Sequence, residues 1–237
     1  LWSMRNASFK SVSELFKDND LPSKVLSKQT DLLIPELQEQ VKEYLTEKTG
    51  FWVALNEDFQ YPSGLRDARH PIELFYFRGN IDILETPCIS VVGTRQVSKD
   101  GIARTKQMVK GLVKNGYTIV SGLAKGVDKV AHETAIEEGG LTVGVLGTPI
   151  DEYYPKENAE LQDKIAKEYL LISQVPFYRY SKDHFKSKRI YFPARNVTMS
   201  ALTRATVIIE ASETSGTRTQ ARACLDQGRK LFILNSC

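Results

Sequence analysis

From Cys88 onward, short apolar runs alternate with longer stretches in which apolar residues recur every three or four positions. CISVV, TIVSG, LTVGVLG, LLISQ, ATVIIEA and LFILN are short and apolar at successive positions, as in strands buried on both faces. The segments between them have helical spacing. The first runs from about Asp100 to Asn115, with Ile102, Val109, Leu112 and Val113 near one face and Asn115-Gly116 as its stop. Others lead to Gly139-Gly140, run from about Glu157 to Lys167, and span about Ser215 to Gly228. This alternation predicts an α/β fold in which helices cover both faces of a mostly parallel sheet.

The chain before Cys88 is less regular. FWVAL reads as a short strand, YPSGL as a turn, and ELFYFRGN as a strand ending at Gly79-Asn80. In DLLIPELQEQVKEYL, Pro35 sits where a helix can start and Leu37, Val41 and Leu45 follow at four-residue spacing. Residues 1–50 are expected to form a small helical appendage and 51–237 the main domain, with no linker or internal repeat between them.

Composition narrows the function classes. The 237 residues are 41% hydrophobic and 26% charged, ordinary for a globular protein with a sizeable core. A net charge of +3 is too small to demonstrate a polyanionic partner, so any basic patch must be local. Cys88, Cys224 and Cys237 are far apart and lack metal-ligand spacing, which points to a reducing compartment and no structural metal. No apolar stretch approaches the roughly 18 residues of a membrane span, and no signal-peptide pattern opens the chain. A cytoplasmic location is expected. The first residue is Leu rather than Met, which leaves room for residues upstream.

Sheets of this kind bind ligands at the carboxyl ends of their strands. Gly93, Gly122, Gly147 and the Ser215-Gly216-Thr217 run all fall there. Gly93-Thr94-Arg95 is neither a dinucleotide fingerprint nor a Walker motif, but it offers a tight turn, a hydroxyl and a forked guanidinium. SGLAKGVD, Ser121 to Asp128, places two glycines at a strand–helix junction, where free N–H groups and the helix dipole favour an anion, and Lys125 adds mobile charge. Asp128 and His132 read most simply as a first-turn helix acid and a packed imidazole. Thr214 or Ser215 can cap the last helix, Gly216 lets a ligand approach, and Thr217 supplies a hydroxyl.

The stretch PFYRYSKDHFKSKRIYFPARN carries Arg179, Lys182, Lys186, Lys188, Arg189 and Arg195 against the single acid Asp183. Phe177, Tyr178, Tyr180, Phe185, Tyr191 and Phe192 are interleaved. Cations that track a phosphate backbone and aromatic faces that stack on unpaired bases suit single-strand binding. The same composition also fits a solvated loop whose aromatics dock on the core. Glu210 and Glu213 are the general-base candidates at this face, although a strand-end glutamate is more often a hydrogen-bond acceptor. No nucleophile elbow, Cys–His pair or magnesium-type acidic cluster is present in the sequence, and nothing there demands catalysis.

In this order and spacing, SVVGTR, VSGLAKGVD followed by AH, GTPIDEYYPKEN, FPARN and EASETSGT…A…QGRKLF resemble the DNA-processing protein A (DprA, also called Smf) family. The resemblance runs from about Tyr61 to the last strand. It implies an extended Rossmann-like fold that binds single-stranded DNA and has no generally assigned catalytic activity, cofactor or metal. In the family this protects incoming DNA during natural transformation and helps load the RecA recombinase, and many members dimerise. Carried over by motif, the DNA-binding positions are Gly93, Thr94, Arg95, Ser121, Gly122, Lys125, Gly126, Phe192, Arg195, Asn196, Ser215, Gly216 and Thr217. Arg95, Lys125 and Arg195 would hold phosphates, and Phe192 or a neighbour would stack on a base.

Three features depart from the family pattern. Val197 stands where members commonly have arginine, Arg218 replaces a leucine and Gln220 a threonine, and the chain stops directly after the last strand. That ending fits a partial chain or a minimal variant. The alternative function is a small-nucleotide sensor or phosphoribohydrolase-like enzyme of the same Rossmann type. The hydrolase motif Pro-Gly-Gly-x-Gly-Thr is missing from SETSGTRTQ, and a single nucleotide has no need of the 176–196 stretch.

Overall fold

The computed structural model describes residues 1–4, 7–18, 21–29, 34–68, 70–211 and 216–234. Helices α1 (Phe9–Leu15), α2 (Pro22–Ser27) and α3 (Ile34–Thr46) precede strand β1 (Trp52–Leu55). The one-turn helix α4 (Ser63–Arg66) then leads to β2 (Leu74–Gly79). The regular alternation begins with β3 (Cys88–Val92), α5 (Lys99–Lys114), β4 (Thr118–Ser121), α6 (Val127–Glu137) and β5 (Thr142–Leu146). It continues through α7 (Ala159–Glu168), β6 (Leu170–Ser173), α8 (Phe177–Lys182) and α9 (Tyr191–Ala201). The last elements are β7 (Ala205–Ile208), α10 (Thr217–Asp226) and β8 (Lys230–Ile233).

One sheet takes all eight of these strands in the order β1-β2-β6-β5-β4-β3-β7-β8. The six from β6 to β8 are parallel, and the β1–β2 hairpin adds antiparallel to β6, with Gly79 opposite Leu170. The chain works outward from β3 to β6 and then returns to place β7 on the other side of β3. Strand order therefore reverses between β3 and β7, and crevices for ligands open at such points.

Strands β3 to β7 are buried at every position, as their apolar runs predict. Alternate side chains feed two layers. Ile89, Val91, Ile119 and Val207 pack with Val109 of α5 and Val127 and Ala131 of α6. Val92, Val120, Val145, Ile172 and Ile208 pack on the opposite side with Met199 of α9, Leu65 of α4 and Phe75 of β2. Helix α7 completes the first layer by setting Ile165 and Ala166 against Leu146 and Leu171.

Two segments differ from expectation. YPSGL is a helical turn, because Leu65 and Tyr61 are drawn into the core and the Tyr61 hydroxyl donates to the Ile72 carbonyl at 2.5 Å. The basic stretch after β6 is mostly helical: α8, a 3₁₀ turn over Ser187–Ile190, and α9 without a break. Phe177, Tyr180 and Tyr191 dock on the core, whereas Phe185 stays exposed. Among the described residues no helix is long and apolar enough to cross a membrane.

Candidate functional site

The loops after β3 and β4 meet at the carboxyl edge and are tied to each other through the backbone. Thr94 donates its N–H to the Glu210 carbonyl at 2.7 Å, and Val127 donates to the Thr94 carbonyl at 3.2 Å. Gly126 has φ +75°, and a Cβ there would lie 2.7 Å from the Arg95 carbonyl oxygen. Both the left-handed backbone and the close approach require glycine. Gly93 sits against the Val127 side chain, and Thr94 is buried, its hydroxyl accepting from the Gln96 N–H at 3.2 Å. Arg95 projects into solvent.

The second loop is fixed from beneath. The buried Ser121 hydroxyl donates to the Val91 carbonyl at 2.7 Å, and the Gly122 N–H donates to Asp128 Oδ2 at 3.1 Å. Directly against Gly122 lies the guanidinium of Arg195, where any Cβ would overlap it. Arg195 reaches this place from α9, is only 6% exposed, and donates from Nη1 to the Val145 carbonyl at 2.8 Å. Its Nε–H is buried and has no partner among the described residues. Burial lowers the Arg195 pKa, the Asp128 carboxylate opposes that shift, and the Arg95 charge adds to it. The two arginines thus repel each other across the strand ends.

Burial likewise raises the Asp128 carboxyl above its ordinary range. Arg195, the N–H groups of Ala124 and Gly122 and the Ser121 hydroxyl all oppose that rise. His132 is a packed imidazole: Nδ1 lies 2.7 Å from Thr142 Oγ1, and burial brings its pKa down to about 3. It is neutral at pH 7 and forms part of the packing beneath the site.

Around this centre the remaining positions take distinct places. Lys125 is exposed and donates to Glu157 Oε1 at 2.5 Å. The Phe192 ring covers Gly147 at the end of β5 and meets the Tyr154 ring at 5.4 Å, with Tyr154 49% exposed. Asn196 donates from Nδ2 to the Gly216 carbonyl at 3.2 Å, joining α9 to the start of α10, where Thr217 is buried. Ser215 and Glu213 lie outside the described residues. Glu210 is committed elsewhere: its carboxylate accepts from the Ser98 hydroxyl at 2.7 Å and the Ser98 N–H at 3.2 Å, at the start of α5. Gln220 is interior and donates to Thr206 Oγ1 at 3.2 Å, whereas Arg218 is exposed. Among the described residues no group of three His, Cys, Asp or Glu could hold a metal ion.

Two participants were not singled out from the sequence. Tyr154 and Glu157 both lie in GTPIDEYYPKEN, which follows the end of β5, so its position was the available signal. The interior placement of Arg195 had no such signal. The arrangement as a whole offers two exposed cations, a buried one and a half-exposed aromatic pair along one edge. That edge can hold an anion and present a flat apolar face beside it.

A sequence profile described as DNA recombination-mediator protein A matches residues 52–236. The chain belongs to that family. As a member of the DNA recombination-mediator protein A family it is similar to the DNA processing protein DprA of Streptococcus pneumoniae, with 37% identity over 174 residues, covering 73% of this chain and 59% of that protein. It is 36% identical over 182 residues to Protein Smf of Synechocystis, covering 75% of this chain and 44% of that one. The chain therefore spans about half the length of the curated relatives it matches. The X-ray structure of S. pneumoniae DprA superposes with a TM-score of 0.74 at 29% identity, covering 97% of this chain and 76% of that one. A structure describing the single-stranded DNA binding mode of DprA from Helicobacter pylori superposes with a TM-score of 0.67 at 28% identity, covering 80% and 84%. In this member of the DNA recombination-mediator protein A family, residues 1–51 precede the matched range.

Proposed function

We propose that this chain is a non-enzymatic single-stranded DNA-binding protein acting in the cytoplasm, where it protects incoming DNA in natural transformation and helps load a RecA-type recombinase. The observation that carries the proposal is the pair of arginines. Arg95 stands exposed after β3 and Arg195 lies buried against Gly122 after β4, so both place positive charge at the carboxyl edge of the sheet. An anion at that edge is attracted by both charges. Arg95 and Lys125 contact phosphates directly, while Arg195 contributes its field from beneath Gly122. Phe192 and Tyr154 supply the apolar face for a base, and Gly93, Thr94, Gly126, Asn196, Gly216 and Thr217 shape the groove. The single-strand binding mode described for H. pylori DprA supports a polymer ligand. Residues 51–237 form the binding domain, with 1–50 as an appendage, and the working form is a homodimer.

Fluorescence anisotropy with labelled single-stranded DNA, duplex DNA and a mononucleotide, each across a salt series, tests this. Tight, salt-sensitive preference for the single strand is expected. Binding of the mononucleotide with no affinity for DNA replaces the proposal with a small-nucleotide sensor.

A further inference from the structure

The six aromatics interleaved with cations in residues 176–196 meet different fates. Phe177, Tyr180 and Tyr191 are buried. Tyr178 donates its hydroxyl to Gln40 Oε1 at 2.8 Å and meets the Tyr44 ring edge-on. Phe192 is held over Gly147. Phe185 is left 72% exposed, and its described ring neighbour is the Arg189 guanidinium, 5.9 Å from the centroid.

The surroundings of Phe185 are cationic. Lys182, Lys186 and Arg189 are exposed beside it in sequence. The one acid of the stretch, Asp183, is already engaged, by Arg179 Nε at 3.0 Å and by the Tyr191 hydroxyl at 2.6 Å. The neighbouring exposed apolar residue, Ile190, lines a cavity with Trp2, Phe9 and Tyr191 and so belongs to a different surface. An exposed aromatic with a guanidinium at its ring and two more exposed cations within three residues in sequence suits a base of a nucleic acid strand better than an apolar protein surface.

Phe185 is also continuous with the strand-end site. The 3₁₀ turn Ser187–Ile190 runs directly into α9, whose second residue is Phe192. Phe185 and Phe192 thus lie seven positions apart on one continuous segment of the chain.

We infer that Phe185 is a second base-stacking platform, engaging an unpaired base of single-stranded DNA as the strand leaves the carboxyl edge, with Lys182, Lys186 and Arg189 flanking the phosphates. This rests on the single-strand proposal above. Stacking needs the π-face and releases no counterions, whereas a phosphate contact does the reverse. Affinity for a twenty-nucleotide oligothymidylate across a salt series separates them, comparing wild type with Phe185→Ala, Phe185→Leu and Phe185→Tyr. Phe185→Ala is expected to weaken binding about tenfold with the salt slope unchanged. Phe185→Tyr restores the affinity and Phe185→Leu does not. Affinity unchanged in Phe185→Ala, full recovery in Phe185→Leu, or a lowered salt slope overturns the inference and leaves the strand-end proposal standing. Failure of the wild type to bind the oligonucleotide at any salt overturns both.

Discussion

Arg95 and Arg195 stand at one edge of the sheet in opposite environments. Arg95 stands in solvent on the turn after β3, while Arg195 is carried by α9 to a buried place against Gly122 and Val145. From sequence they are the same kind of residue in the same kind of motif. Physically they are different devices. An exposed guanidinium exchanges water and salt ions for a phosphate, so its contribution is read in the salt dependence of binding. A buried one is held by Asp128 and a carbonyl, and its removal strands a carboxylate in the interior.

The largest expected effect follows from the buried member. Arg195→Ala should destabilise the fold by about 3–5 kcal/mol, measured as a shifted urea midpoint, because Asp128 loses its counter-charge. Adding Asp128→Asn should return part of that loss, since the stranded charge is then gone. An unshifted midpoint in Arg195→Ala, together with a lowered salt slope for DNA, would place Arg195 with Arg95 as a second surface contact and erase the contrast.

Next comes the exposed member. Arg95→Ala should leave the urea midpoint within about 0.5 kcal/mol of wild type. It should lower the slope of log affinity against log salt for single-stranded DNA by about 0.7, one phosphate contact. The loss should be uniform across sequences. A slope equal to that of wild type would remove Arg95 from the list of contacts and leave Lys125 and the buried charge as the site's sources of attraction.

This contrast marks how far the residue pattern could be read. Strands β3 to β7 were legible because a doubly buried parallel strand must be apolar at every position, and CISVV or LLISQ allows little else. The gathering of loops at the carboxyl edge was legible because glycines recur where such strands end. The fate of Arg195 was not, since burying its guanidinium needs three things far from it in the chain: Gly122 without a side chain, the Val145 carbonyl, and Asp128 on α6. The helices of 176–201 were masked for a related reason. Their apolar positions, Phe177 and Tyr180 and later Tyr191 and Met199, are interrupted by charges, one of which occupies an interior position itself. Charge composition therefore read as surface where the fold has made it core.

The smallest effect concerns a cation between these extremes. Lys125 is exposed yet held by Glu157 at 2.5 Å, and the same pair lowers the Glu157 pKa through the Lys125 hydrogen bond. In solvent such a pair is weak, so a phosphate and Glu157 compete for one ammonium group. Glu157→Gln should therefore tighten single-strand binding by about twofold, whereas Lys125→Ala weakens it and lowers the salt slope. Both are read in the same anisotropy titration used for Arg95→Ala. Weaker binding by Glu157→Gln would mean that the carboxylate positions Lys125 for the phosphate. Lys125 would then resemble Arg195, a charge held in place by the fold, more than Arg95.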